Sequence, residues 1–291
     1  MKDREKPKGT KARVKAHKKR LTYIGHAITV AILVCIIAVS SFFLYSMLYS
    51  PSEQTSINPD PKLKAAIVDQ LSLTCPNQTF IQTATNILEQ AGYTVDYYPS
   101  EQVTVDFYRN LPTYAYKLII LRVHSTATDI GGSEAPVALF TSECASKTKY
   151  VYEQLTEQLT WVSFSKQEGE REILYFGINS PFVTHSMKGR FQNTIIIMMG
   201  CEGFDNPLMA MAFVEKGAKV YVSWNQPVLA SHTDLATTHL LHHFLMEKRT
   251  LKQSVQETFK EVGADPSCKS LLIYYPLEVG EQTIKNITGE N

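Results

Sequence analysis

The sequence predicts an α/β domain on a mostly parallel central sheet, preceded by one transmembrane helix. Three observations carry that expectation. Residues 21–50 contain no Asp, Glu, Lys or Arg. Beyond them, short apolar runs alternate with segments of helical periodicity, the pattern of parallel strands joined by crossover helices. Two of the runs, "KLIILRV" at 117–123 and "TIIIMM" at 194–199, are apolar at nearly every position, as a strand covered on both faces requires.

The chain of 291 residues opens with ten Lys/Arg in residues 1–20 against Asp3 and Glu5, a local charge of +8. The uncharged run at 21–50 exceeds the roughly 20 residues that span a bilayer. With the basic block on its N-terminal side, the positive-inside rule predicts a single-pass anchor in the cell membrane, N-terminus cytoplasmic and the rest outside. A cleaved signal peptide has a shorter apolar region, about 7–15 residues, ending in small residues, whereas this one ends in "FFLYSMLYS". The basic tail is read as a topology signal beside anionic lipid, not as a nucleic-acid patch. Beyond residue 50 the chain holds 19 basic and 26 acidic residues, a charge of about −7 that suits no polyanionic partner. Residues 51–62, "PSEQTSINPDPK", read as an exposed linker, and 63–291 as one extracytoplasmic domain large enough for a sizeable core.

In that domain "LKAAIVDQL" (63–71) contains an apolar strand-like segment. "NQTFIQTATNILEQAG" sets Phe80, Ile81, Ala84, Ile87 and Leu88 on a helical spacing, with Gly92 as the stop. "YTVDYY" alternates as a strand, "VTVDFYRNLP" is a short helical piece, and "KLIILRV" is a central strand. "APVALFTSE" (135–143) is a strand or hairpin arm, "YVYEQLTEQLTWV" (150–162) reads as helical, and "EILYFGI" (172–178) as a strand. Strand "TIIIMM", helix "NPLMAMAFVEKGA", strand "KVYVSW", helices from about 234 to 248 and 251 to 262, and strand "SLLIYY" complete five or six core strands.

Active sites of open parallel sheets form outside the carboxyl ends of the strands. "KLIILRV" exits onto His124 and Ser125; "TIIIMM" exits onto Gly200 and Cys201. If the two strands are neighbours, about 4.8 Å apart, an imidazole and a thiol share one cleft. A thiol becomes a strong nucleophile when a base takes its proton, and imidazole titrates near neutrality. A helix starting just after Cys201 would add its N-terminal amides for a thiolate or oxyanion, and Gly203 would let the backbone approach a substrate.

"LIILRVHS" with "TIIIMMGCEG", followed by "AFVEKGAKVYVSWNQPV" and a helix pair, resembles the caspase-like cysteine peptidases of clan CD, nearest to gingipain-type and CHAT-type members. The resemblance spans roughly residues 63–275. It implies a three-layer α/β/α fold and a catalytic Cys-His dyad: Cys201 attacks a peptide carbonyl, His124 protonates the leaving amine, and the amides of Ser125 and Cys201 form the oxyanion hole. Glu202, Gly203, Trp224 and Asn225 would lie at the substrate pocket, although Gly203 could serve a sharp turn and an aromatic at Trp224 is as often packing. Ser125 stands where the clan usually has Gly, and Gly200 where Ala is usual. Asn225 replaces the Arg with which caspases read an acidic side chain, so specificity for Asp is not implied. The partner would be a peptide or protein substrate. A non-catalytic ectodomain of the same fold, with Cys201 in a disulfide, is the competing reading.

Asp129 and Glu134 could orient the imidazole, though solvated loop acids are the plainer reading. Glu202 could equally cap a helix start, and Asp205 is read as such a cap. His239, His242 and His243, with His232 nearby, share a helical segment. Two His four apart can bind zinc, but the sequence shows no HExxH glutamate and no third ligand, so no metal is expected. Without GxGxxG or GxxxxGK[ST], no cofactor is expected either. Cys75, Cys144, Cys201 and Cys268 are even in number outside the membrane, which allows two bridges in one of three pairings. Asn77 and Asn286 begin N-x-T sequons, candidate glycan acceptors.

Overall fold

Alternation of period two sorts the strand side chains onto two faces of one sheet. In the computed structural model, which describes residues 63–127, 136–164 and 172–289 with Leu33 and Ser40 besides, that sheet has six strands. They are β1 (Leu63–Asp69), β2 (Tyr93–Pro99), β3 (Leu118–Arg122), β8 (Thr194–Met198), β9 (Ala218–Trp224) and β10 (Leu272–Tyr275). Their order is β10-β9-β8-β3-β1-β2. All neighbours are parallel except β9 and β10, which are antiparallel. Every residue of β3 and β8 is buried, as expected of central strands.

Ala65, Ile67, Leu118, Ile120, Ile195, Ile197, Val220 and Val222 point to one face. There they meet α1 (Gln78–Gln90), α5 (Ala230–Leu241), α6 (Leu251–Val262) and α7 (Ile284–Thr288). The helix α1 forms where Asn77 caps it, accepting from the Phe80 amide at 3.1 Å. Its buried stripe is Phe80, Ile81, Ala84 and Leu88, and Gly92 follows with φ +94°, a left-handed value that favours glycine. A Thr250/Gln253 capping box starts α6. The other face, with Ala66, Val68, Ile119, Leu121, Ile196, Met198 and Tyr221, packs against α2 (Val105–Asn110), α4 (Leu208–Glu215) and a second sheet. Layers thus cover the sheet on both sides.

The second sheet is the main departure from the expected pattern. Antiparallel strands β4 (Ser125–Ala127), β5 (Val137–Cys144), β7 (Leu174–Ile178) and β6 (Leu159–Ser163) lie in that order. The segment 150–162, expected as one helix, yields only the short α3 (Val151–Leu155) before β6. Glu157 has φ +56°, which no helix interior tolerates, and the Thr-Trp-Val of β6 suits a pleated surface. Leu155 and Leu159, which a helix would set on one side, part company: Leu155 is 80% exposed while Leu159 is buried.

The chain divides into Met1–Asp60 and Pro61–Asn291. The basic tail 1–20, the anchor 21–50 and the linker 51–62 lie outside the described residues, but for Leu33 and Ser40. Among the described residues, no helix is long and apolar enough to cross a membrane.

Candidate active site

Strand order reverses between β1 and β3: β2 lies on one side of β1, while β3, β8 and β9 follow on the other. The crevice at such a switch point is where parallel sheets bind ligands, and His124 follows the β3 edge of it directly. Its backbone is pinned on both sides. The amide donates to Gln70 Oε1, just past β1, at 3.0 Å, and the carbonyl accepts from Phe140 N of the second sheet at 2.9 Å. The imidazole Nε2 lies 3.0 Å from Thr74 Oγ1, and its ring packs against both Phe140 and Phe164 with centroids 5.8 and 4.8 Å away. Burial, helped by the nearby Arg122 guanidinium, pushes the His124 pKa down to about 4, so the ring is neutral at physiological pH.

β8 pairs directly with β3, Leu121 opposite Met198, so Cys201 leaves the sheet beside His124. The exits are stitched together: Ser125 Oγ donates to the Cys201 carbonyl oxygen. Gly200 makes this approach possible, since a Cβ there would sit on Ser125 Oγ and the Val123 carbonyl. The thiol itself turns toward β9, donating to Val228 O at 3.4 Å, with Val228 N 3.5 Å from the sulfur. It packs against the cluster of Trp224, Val228 and Ala236. Burial raises its pKa, against the lowering effect of the Val228 backbone contact. The resting pair is thus an uncharged thiol and an uncharged imidazole, each hydrogen-bonded to a different neighbour.

Phe140 N to His124 O fixes the phase of the β4–β5 ladder, and Ser125 is opposite Leu139. Ala127 N, two residues on, donates to Glu202 Oε2 at 2.9 Å. Amides two apart on a strand point to the same side, so the Ser125 N–H points away from β5, on the side of β4 from which Ala127 reaches Glu202.

Several expected roles shift. No helix begins at Cys201: α4 starts at Leu208, because Glu202 takes a left-handed φ of +54° and the chain runs through turns to Pro207. Helix-dipole help for a thiolate is therefore lost. Glu202 is a strut, its carboxylate on Ala127 N and its amide on Gln226 O. Gly203 is buried against Ser223, and its carbonyl accepts from Tyr221 Oη at 3.0 Å. It provides close packing, not an approach for substrate. Trp224, 2% exposed, donates Nε1–H to Thr233 Oγ1 at 2.8 Å and supports the floor behind Cys201 without lining an open pocket. Asn225 Oδ1 accepts from Leu271 N, holding the β9–β10 end. Asp205 is exposed and caps no helix. Asp129 and Glu134 lie outside the described residues.

All four cysteines beyond residue 50, Cys75, Cys144, Cys201 and Cys268, are free, so no bridge competes for Cys201. The Asn77 side chain is engaged twice, capping α1 and donating to Asp234 Oδ2 at 2.8 Å. A glycan on that nitrogen would displace the second bond. Asn286 is exposed on α7.

Beneath the site lies a feature that the sequence shows only in outline. Arg122, fully buried in β3, donates Nη1–H to Asp69 Oδ1 at 2.7 Å, and Nε–H and Nη2–H to Asp234 at 2.8 and 2.9 Å. A further Nη2 bond reaches Cys75 O at 2.7 Å. The two carboxylates raise the Arg122 pKa and keep it charged. This ties the exits of β1 and β3 to α5 and fixes the Thr74–Cys75 turn that carries the partner of the imidazole. The signal was one arginine in an otherwise apolar strand: a buried charge must be paired.

A cavity of about 510 Å³ between Tyr93, Leu245, Ile284 and Lys285 shares no residue with this site and is lined by no cysteine or histidine. No protein-family model and no curated protein matches this chain.

Proposed function

We propose that this chain is a membrane-anchored cysteine endopeptidase with a caspase-like α/β/α fold, working through Cys201 and His124. The observation that carries the reading is the pairing of β3 with β8, which sets an imidazole and a free thiol on adjacent strand exits joined by the Ser125–Cys201 bond. Because the imidazole is uncharged, it acts first as a base. As the sulfur attacks a peptide carbonyl, its proton passes to His124 and the electron pair moves onto the carbonyl oxygen, facing the amides of Ser125 and Cys201. Collapse breaks the C–N bond, and His124 gives the proton to the departing amine. Water then attacks the thioester, His124 takes its proton, and the acid product leaves with the thiol restored. The outward orientation and the anchor at 21–50 belong to the same proposal and rest on the apolar run beside the +8 tail.

A non-catalytic binding domain has one observation in its favour: thiol and imidazole are hydrogen-bonded to Val228 and Thr74 and not to each other. Acyloxymethyl ketone probes differing in the first side chain separate the two readings. Labelling of the parent, lost in Cys201→Ala and His124→Ala, supports the peptidase. A parent that no probe labels, or a Cys201→Ala protein that still cleaves a peptide library, overturns it.

A further inference from the structure

The third donor that the sequence does not reveal for the helix histidines comes from the next helix. Glu261, on α6, lies against α5 so that its Oε2 is 2.6 Å from His239 Nδ1 and 3.0 Å from His243 Nε2. The three donor atoms lie within 4.8 Å of one another. We propose that His239, His243 and Glu261 form a binding site for a zinc-like divalent ion, with the fourth position open to solvent.

Two imidazoles and one carboxylate are the donor set of a three-ligand zinc site with an open position. Donors at about 2.0–2.1 Å in a tetrahedron stand about 3.3–3.4 Å apart, so entry of an ion opens the two present contacts by roughly 0.3–0.8 Å. The side chains can give that much: His239 is 36% and Glu261 45% exposed, while His243 is 5% exposed and anchors the site. The outer shell is also in place. His243 Nδ1 is 2.9 Å from Glu247 Oε2, and Arg249 holds that same carboxylate. A carboxylate behind a histidine fixes the ring and raises its basicity toward a metal at the other nitrogen. The helix takes a π turn over His242–Met246, a distortion common at functional sites; it sets His243, and not His242, toward α6. On binding, the ion takes the place of the hydrogen between His243 Nε2 and Glu261, which leaves to solvent, and His239 presents its Nδ1 lone pair with its ring hydrogen on Nε2. None of these residues touches His124 or Cys201.

The alternative is a purely structural ion-pair cluster in which a protonated His243 bridges two carboxylates. The full chain, stripped with chelator, is titrated with zinc chloride by calorimetry and thermal melting, with its cysteines alkylated in a parallel sample. One ion per chain, the same affinity after alkylation, and a zinc-dependent rise in melting temperature are expected. H239A and E261Q should each weaken binding at least tenfold, E247Q about 10–100-fold, and H242A not at all. The chelated melting curve of H239A should match the parent, showing that its defect is in binding and not in folding. The proposal is overturned if zinc binds no tighter than to the H239A/E261Q double variant, if alkylation abolishes binding, or if H242A and not H239A removes it.

Discussion

Replacing Arg122 with methionine should unfold more of this protein than any change at the candidate nucleophile. The side chain is fully buried, as are Asp69 and Asp234, with side-chain exposures of 2% and 5%. Methionine fills similar volume but leaves two carboxylates without their cation. Removing one member of a buried ion pair costs about 3–5 kcal/mol, and here two pairs lose the same partner. We therefore expect a loss of at least about 3 kcal/mol at pH 7 in urea unfolding, a large share of the typical 5–15 kcal/mol total. Adding Asp69→Asn and Asp234→Asn should recover most of it, since an uncharged cluster no longer strands a charge. The pH dependence has a definite sign. Burial already raises the Asp69 carboxyl pKa in the parent, and losing the Arg122 cation, which lowers it, raises it further, so the variant is most stable below the unfolded pKa. It loses stability as pH rises through the folded values. The deficit against the parent should thus shrink from pH 7 to pH 5. A deficit under about 1 kcal/mol at pH 7, or one that grows on acidification, would refute the assignment of Arg122 as a charged tie.

Alkylation of Cys201 by iodoacetamide should speed up with pH through and beyond the ordinary thiol range. It should show no acid plateau, because burial raises the thiol and His124 stays neutral down to about pH 4; a rate already saturated at pH 6 would mean a thiolate–imidazolium pair. Gly200→Ala should cost about 1–3 kcal/mol by overpacking against Ser125 and Val123. Its melting temperature and probe labelling should fall together, and an unchanged melt would show that the exits have room to spare. Leu88→Ala, a fully buried change on α1 in a different hydrophobic cluster from the one the thiol packs against, should lose about 2–5 kcal/mol in urea unfolding. It should leave the pH profile of Cys201 alkylation as in the parent.

Much of the central sheet was legible because burial on both faces leaves an unmistakable mark: β3 and β8 are apolar nearly throughout. Helix α1 was legible from its stripe and from Gly92. The second sheet was not, since its strands are short, half-exposed and interrupted, and Leu155 and Leu159 happen to sit at helical spacing. The helix after Cys201 was placed too early because Glu202 adopts a left-handed turn that no local propensity announces. At the site, His124, Ser125 and Cys201 could be found by asking which polar residues end apolar strands. Thr74, Gln70, Asp69 and Asp234 could not, because their roles arise from contacts across 50 to 112 positions. Periodicity has no reach over such distances. Glu261 escaped for the same reason, standing 22 residues from His239 on a different helix.

The tie between Asp69, Arg122 and Asp234 also governs when the cleft can exist during synthesis. A ribosome that has made the first 201 residues has produced both reactive groups, yet the arginine under them still lacks its partner on α5, and the thiol lacks the Val228 backbone it leans on. Closing contacts this distant in sequence is slow compared with forming local helices. A nascent or truncated chain therefore carries the thiol and the imidazole without the contacts that position them, until the last third of the polypeptide has docked.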